Sequence, residues 1–403
     1  MPPILRALKS RNYRLYFIGQ LVSMAGTWMQ QIAMVWLAYR LSNSAFVLGS
    51  VGFASQIPIL IFASFSGVLV DRFDRRRLLM GTQALSMVQA LSLAALAWLD
   101  RATPGLLIML AFFLGCINAV DVPARQAVVV QLVDDREDLP NAIALNSFIM
   151  NSARFVGPAL AGFVVALVGE AVCFVLNAAS YLAVLVALGQ IRVPAEERRG
   201  SRAWDALKEG YRYVVGHKRI RRTLLLVACV SFFATPYAVM MPLFAREIFQ
   251  GDARTYGFLI ASAGGGSLLA SLYLASRTGT EGLAMRVALA APTVGAALAL
   301  FAVTPRAWMA YPVLMGVGFC VIITIAGCNT LIQTWVENEF RGRVMAIFSM
   351  AFLGIAPLGS FTIGSVAHAF GIRYTLVACG LLTLAAGLVY RFASGIPSRS
   401  LPE

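Results

Sequence analysis

The chain has 403 residues, of which 59% are hydrophobic and only 13% charged, and its mean hydropathy is +0.76. An ordinary soluble domain carries about a quarter charged residues, so the composition excludes one and fits a chain built for lipid. The net charge of +14 does not make it a nucleic-acid binder, because there is no soluble domain to carry a basic surface with base-stacking aromatics.

Crossing about 30 Å of hydrocarbon takes about 20 apolar residues. Twelve stretches of that kind are predicted, over 14–39, 46–70, 78–99, 105–130, 142–168, 171–190, 223–245, 256–275, 284–303, 307–335, 344–370 and 374–392. They are too long and too continuously apolar for barrel strands, and backbone polar groups in lipid must bond within the segment, so each is expected to be a helix.

Arg6, Lys9 and Arg11 precede the first span, which is too long for a signal-peptide core and lacks a small-residue cleavage site, so it is expected to stay as a helix. Gln20, Ser23, Thr27, Gln30 and Gln31 fall along one side of it and would suit a roomy amphipathic cavity. Between spans two and three lies the hinge Gly67 to Arg77, G-V-L-V-D-R-F-D-R-R-R, a cluster of charge between two apolar runs.

Spans four and five hold the only charges placed well inside the hydrocarbon: Asp121, Arg125 and Arg154. Charges at that depth cost several kcal/mol and normally face a cavity and a partner. Asp121 and Arg125 are four apart and share a helix face with Asn118, while Ser147, Asn151 and Arg154 form a similar stripe on span five. If the stripes face each other, one carboxylate sits near two guanidiniums. Asp121 is then the one deep group able to exchange a proton; a permanent ion-pair lock between the two helices is the competing reading.

Residues 192–222 form the one long polar break and divide the chain into a six-helix bundle over 1–191, a linker, and a second bundle over 223–403. Within the linker, Trp204, Leu207, Tyr211 and Val214 recur at helical spacing, which predicts an amphipathic helix from Ala203 to Val215. It is expected to lie along the inner membrane surface, or to serve as a plain tether. The second bundle has no charge at mid-span; Asn329 and Gln333 in span ten are its cavity candidates. The six cysteines all fall inside apolar spans and none forms a CxxC pair, so they read as small core residues. His217 and His368 have no metal-ligand company.

Laid side by side at an offset of 202, the halves match without a gap: Gln131 meets Gln333, Asp135 meets Glu337, Glu137 meets Glu339, Gly157 meets Gly359, Gly162 meets Gly364, and Gly169 meets Gly371. The fold expected is therefore an all-α polytopic membrane protein, with twelve transmembrane helices in two six-helix pseudo-symmetric bundles. Lysine and arginine number 25 on the side of the termini and six on the other, which puts both termini in the cytoplasm.

These residues resemble the major facilitator superfamily over essentially the whole chain. Its signature between helices two and three is G-x-x-x-D-R-x-G-R-R, and Gly67, Asp71, Arg72, Arg75 and Arg76 stand in those places, with Asp74 at the second glycine. That departure removes the φ-permissive residue from the turn. The resemblance implies an inner gate in which Asp71 faces the start of helix eleven near Arg343; a simple positive-inside anchor is the alternative. Helix five of the superfamily's antiporters carries G-x8-G-x3-G-P-x2-G-G, matched by Ala144, Ala153, Gly157, Pro158, Ala161 and Gly162, with alanine for three glycines. It implies an interface that moves, against a packed and immobile crossing. Arg11 to Leu15, Gly19 to Ser23, Pro123 to Gln126 and Leu139 to Ala142 look like the exporter branch that includes the enterobactin exporter and macrolide efflux pumps, the transmembrane secretion effectors.

The expected function is a secondary active exporter of an amphipathic small molecule, a drug or siderophore, from the cytoplasm across the bacterial inner membrane. No nucleotide-binding loop of the G-x-x-x-x-G-K-[ST] type is present, so a proton gradient is the expected fuel, with no cofactor. A lipid or lysolipid flippase is the second reading. No Ser-His-Asp set, paired catalytic carboxylates or His/Cys/Asp cluster can be assembled at one depth, which argues against an enzyme. The partners expected are the small-molecule cargo and membrane lipids, not nucleic acid, and the chain is expected to act as a monomer.

Overall fold

The computed structural model describes residues 3–133, 135–191, 203–277 and 279–393, with the side chains of 3–5, 63–65, 67–68, 71, 130, 136 and 203–208 outside the description. Linker residues 192–202 therefore lie outside it. Twelve long helices follow one another: α1 Arg11–Ser42, α2 Ala45–Arg72, α3 Arg75–Trp98, α4 Pro104–Leu132, α5 Leu139–Val168 and α6 Glu170–Gln190, then α7 Lys218–Ile248, α8 Ala253–Ala275, α9 Leu283–Val303, α10 Ala307–Trp335, α11 Arg341–Phe370 and α12 Ile372–Ala393. Among the described residues there is no strand. Eleven of the helices are apolar enough by composition to cross a membrane. The exception is α1, which carries the polar row from Gln20 to Gln31.

Caps set several boundaries. The Thr103 hydroxyl accepts from the amide of Leu106 at 3.3 Å with Pro104 in the first turn, and Asp252 accepts from the amides of Arg254 and Thr255 at 3.0 and 3.2 Å. The seventh span begins at Lys218, five residues before the expected start at 223. Its basic first turn continues the helix past the lipid boundary, and Arg222 donates to the last carbonyl of α12, Ala393. A π-turn, Val230–Ala234, interrupts α7, a second, Phe244–Ile248, closes it, and a third, Met350–Gly354, interrupts α11.

In lipid, helices are drawn together by close packing and not by the hydrophobic effect, so small residues mark the seams. Within the first half Gly19 and Gly26 of α1 lie on α6, and Gly115 of α4 lies on Pro58 of α2. Within the second, Gly318 of α10 lies on Ala263 of α8, and Gly295 of α9 on Gly380 and Leu384 of α12.

The duplication read at offset 202 has a backbone counterpart. Gly169, between α5 and α6, sits at φ 86° and ψ 172°; Gly371, between α11 and α12, sits at φ 85° and ψ 150°. That region is essentially closed to residues with a Cβ. Each half also opens with a short helix that clamps the loop before its fifth helix. In the first, a 3-10 helix Pro3–Lys9 bonds Arg6 to Asp138 and the Ala7 amide to Asn141 Oδ1 at 2.9 Å. In the second, the linker helix Ala203–Gly216 pairs Glu209 with Arg343 at 2.7 Å and stacks Tyr213 on Phe340 at 4.4 Å.

The halves meet along two glycine-lined seams. A Cβ added at Gly257 of α8 would come within 2.6 Å of the Pro158 carbonyl of α5, and one at Gly49 of α2 within 2.6 Å of the Ser360 carbonyl of α11. Phe163 on Phe258 and Phe361 on Phe46 and Phe53 cover these crossings. Trp36 stacks on Tyr256 at 5.8 Å, and the Tyr39 hydroxyl donates to Glu247 at 3.2 Å. These contacts cluster toward the face opposite the termini. The glycine-mediated contacts reach mid-depth at Arg154 against Gly264 and Leu60 against Gly354. Beyond them, toward the basic face, Ala144 and Ser147 of α5 and Gln333 of α10 are exposed, and among the described residues no glycine there packs on the other half.

Candidate functional site

The deepest polar cluster belongs to the first half. Asp121, 2% exposed, accepts from the Thr82 hydroxyl at 2.7 Å, from Gln83 Nε2 at 2.7 Å, and from Arg125. Arg125 in turn donates to Gln20 Oε1 of α1 at 2.8 Å. One carboxylate thus ties together α1, α3 and α4. Buried polar atoms of Tyr16, Gln20, Gln83 and Arg125 beside it have no hydrogen-bond partner among the described residues.

Arg154 does not join that cluster. The expectation of one carboxylate between two guanidiniums is overturned because Asp121 turns toward α3, while Arg154 lies over the Trp28 ring of α1 at 5.0 Å with Tyr237 of α7 nearby. Among the described residues no carboxylate is paired with Arg154. Gln30 is also not a wall of the cavity. It is 1% exposed and bonded to Gln89 at 2.9 Å and Asn177 at 2.8 Å, a chain of amides that joins α1, α3 and α6. Gln31 is exposed and Asn118 half-buried; Asn151 donates to the Ser147 carbonyl at 2.9 Å, and Gln333 to Asn329 on its own helix.

Set on that fold, the comparison with known proteins is decisive. The transmembrane secretion effector family matches residues 4–399. The chain belongs to that family. It is 27% identical to the staphyloferrin A transporter of Staphylococcus aureus, over 94% of this chain and 95% of that one. It is 25% identical to the multidrug efflux pump Tap of Mycobacterium tuberculosis, over 93% and 91%. Among solved structures, a bacterial homologue of the human lysosomal transporter Spinster, inward-facing and unoccupied, aligns over 98% of both chains with a TM-score of 0.72 at 14% identity, a likeness of fold alone. The protein is a multi-pass major facilitator transporter and not an enzyme.

In this secretion effector the hinge motif is partly accounted for. Gly67 and Asp71 stand within α2, and the Asp71 side chain lies outside the description. Asp74, at the position where the signature has glycine, needs no special backbone: its φ is −59°, and its carboxylate accepts from the Arg77 amide at 2.9 Å, capping α3. Arg76 donates to the carbonyls of Leu188 and Gly189 at 2.6 and 2.9 Å and so caps α6 inside its own half. Arg72 is exposed and Arg75 half-buried. Arg343, expected opposite Asp71, is held by Glu209 of the linker helix.

The helix-five motif lies on two interfaces at once. Ala153, Gly157, Pro158, Ala161 and Gly162 are all buried. Gly157 faces Trp28 and Ala25 of α1, whereas Pro158 and Gly162 face Gly257 and Ala253 of α8 in the other half. Thr82 and Gln83, which hold Asp121, and Gln89 were missed as site residues. Their signal was available: Thr82, Ser86 and Gln89 recur at helical spacing along span three, and all are buried.

Proposed function

We propose that this transporter exports an amphipathic small molecule from the bacterial cytoplasm in exchange for protons, the two halves rocking about a central cavity. The observation that carries the reading is that the glycine contacts between the halves stop at mid-depth and are lacking, among the described residues, toward the basic face, together with the buried Asp121 cluster of the first half. The basic face is the cytoplasmic one by its excess of lysine and arginine, so the structure is read as inward-open. Relatives named for siderophore and multidrug transport support small-molecule cargo.

Asp121 is the coupling group in this scheme. It accepts three hydrogen bonds, from Thr82, Gln83 and Arg125. Protonation requires Arg125 to withdraw toward Gln20 of α1, which links proton uptake to movement between α1 and α4. The test is proteoliposome efflux under an imposed pH gradient. Asp121→Asn should insert normally and lose uphill export; full proton-driven export by that variant would remove Asp121 from the coupling role.

A cleft of about 850 Å³ favours a second reading. It lies between the linker helix, α2 and α11, lined by Leu60, Val215, Ile347, Met350 and Leu358 with Arg212 among them. An acyl chain with an anionic head would suit such a wall, so a lipid or lysolipid flippase remains the alternative. Translocation of a headgroup-labelled lysolipid in vesicles, without efflux of any amphipathic compound, would favour it over export.

A further inference from the structure

We infer that Arg154 is the docking point for a carboxylate carried by the cargo, which makes the transported class an organic acid with an aromatic or other flat apolar part. The inference rests on the export reading for its direction but not for the site. Arg154 lies at the middle of α5, on a helix of 30 residues, where a cation costs several kcal/mol unless something opposes it. The other deep arginine is opposed: Arg125 has Asp121. Among the described residues Arg154 has only the face of Trp28 at 5.0 Å and the phenol of Tyr237 near it. A ring face stabilises a guanidinium from one side and leaves its in-plane N–H groups unused. Those groups form the fork that a carboxylate fills with two parallel hydrogen bonds.

The surroundings fix where such an acid would sit. Gly157 lets the Trp28 backbone come against α5, a Cβ there being only 2.6 Å from Trp28 Cβ, and this places the indole beside the guanidinium one turn away. The Arg154 carbonyl itself lies against Gly264 of α8, at the end of the glycine contact between halves. A carboxylate on Arg154 would therefore occupy the apex of the cavity, touching α1 and α5 of one half and α7 of the other. The flat part of the cargo can rest against Trp28, and the half-buried guanidinium is reachable from the cavity. Net charge agrees, since the Asp121 and Arg125 pair is neutral and leaves Arg154 as the unopposed charge at mid-depth among the described residues.

The experiment uses full-length protein in detergent and reads thermal stabilisation by two acids, citrate and 2-naphthoate, each against its amide. For wild type, at least one acid should raise the melting temperature with an apparent affinity about tenfold or more above that of its amide. Arg154→Gln should lose that preference, and Arg154→Lys, which keeps the charge without the fork, should fall between them. Stabilisation of wild type and Arg154→Gln by the same acid to the same extent would overturn the assignment, as would no response of wild type to either acid. Should Arg154→Gln fail to fold, Trp28→Leu, which removes the ring but keeps the cation, must still bind the acid in preference to its amide; loss of that preference overturns the assignment too. A wild type that binds the acid yet moves none of it in proteoliposomes would sink the export reading and leave the docking point standing.

Discussion

The two halves share a skeleton and divide the chemistry. Gly169 and Gly371 turn the chain in the same unusual backbone region, and glycines on α5 and α11 close the same face against α8 and α2. At offset 202, however, Asp121 stands opposite Ile323, Arg125 opposite Gly327 and Arg154 opposite Ala356. Ile323 is buried at 3% exposure, and Gly327 packs on Val287 of α9. The same architecture therefore tolerates either an ionic or an apolar interior at these positions. The second half forms its own six-helix arrangement without charge at these positions.

That comparison can be broken most severely at Arg125. Arg125→Ala leaves the Asp121 charge buried without its partner, and should cost about 3–5 kcal/mol, read by thermal or denaturant unfolding in detergent. The double change Asp121→Ile with Arg125→Gly copies the second half; it should restore stability to within about 1 kcal/mol of wild type while uphill export stays abolished. A double variant as unstable as the single one would mean that the ion pair is needed for the fold.

A second contrast is between the seams. Gly162→Leu and Gly364→Leu each place a side chain against backbone of the facing half. Both should hold the opposite face apart and lower export about tenfold, as expected from some 1.4 kcal/mol against the closed arrangement. Cysteine accessibility near Phe163 and Phe361 measures it; a rise in only one of the two variants would show that the seams do not act as a pair.

Smaller effects sharpen the likeness. Gly169→Ala and Gly371→Ala should destabilise by similar amounts, about 1–3 kcal/mol each, because each forces a Cβ into the same disfavoured backbone region. Unequal melting shifts would deny the equivalence. Least of all, Glu209→Gln should cost no more than about 1 kcal/mol, since its carboxylate is 54% exposed, and the loss should shrink further in high salt.

The twelve helices were legible because length and apolarity are local properties, and each lies within a few residues of its predicted span. Asp121 and Arg125 lie within α4 and Arg154 near the middle of α5. What the sequence hides is rotation about each helix axis relative to its neighbours. Asp121 shares a face with Asn118 and Arg125, but whether that face meets α3 or α5 depends on packing between helices, and the wrong neighbour was expected. Gln30 and Gln31 differ by one position, about 100° around α1, so one is locked among amides and the other exposed. Asp74 stands where the motif has glycine, but its carboxylate caps α3 at an ordinary φ of −59°, so the turn needs no φ-permissive residue.

The two short clamps at the basic face carry opposite polarity. In the first half the cation is on the short helix, Arg6, and the acids Asp138 and Glu137 are on the loop; in the second the acid is on the short helix, Glu209, and the cation Arg343 is on the long one. Exchanged, the Arg6–Asp138 and Glu209–Arg343 pairs would both be lost, since at offset 202 Phe340 stands in the place of Asp138 and Asn141 in that of Arg343. During synthesis the first bundle is complete before the second leaves the ribosome, and a duplicated chain is at risk of pairing a segment with the wrong copy. Losing its own ion pair on exchange biases each short helix toward its own copy.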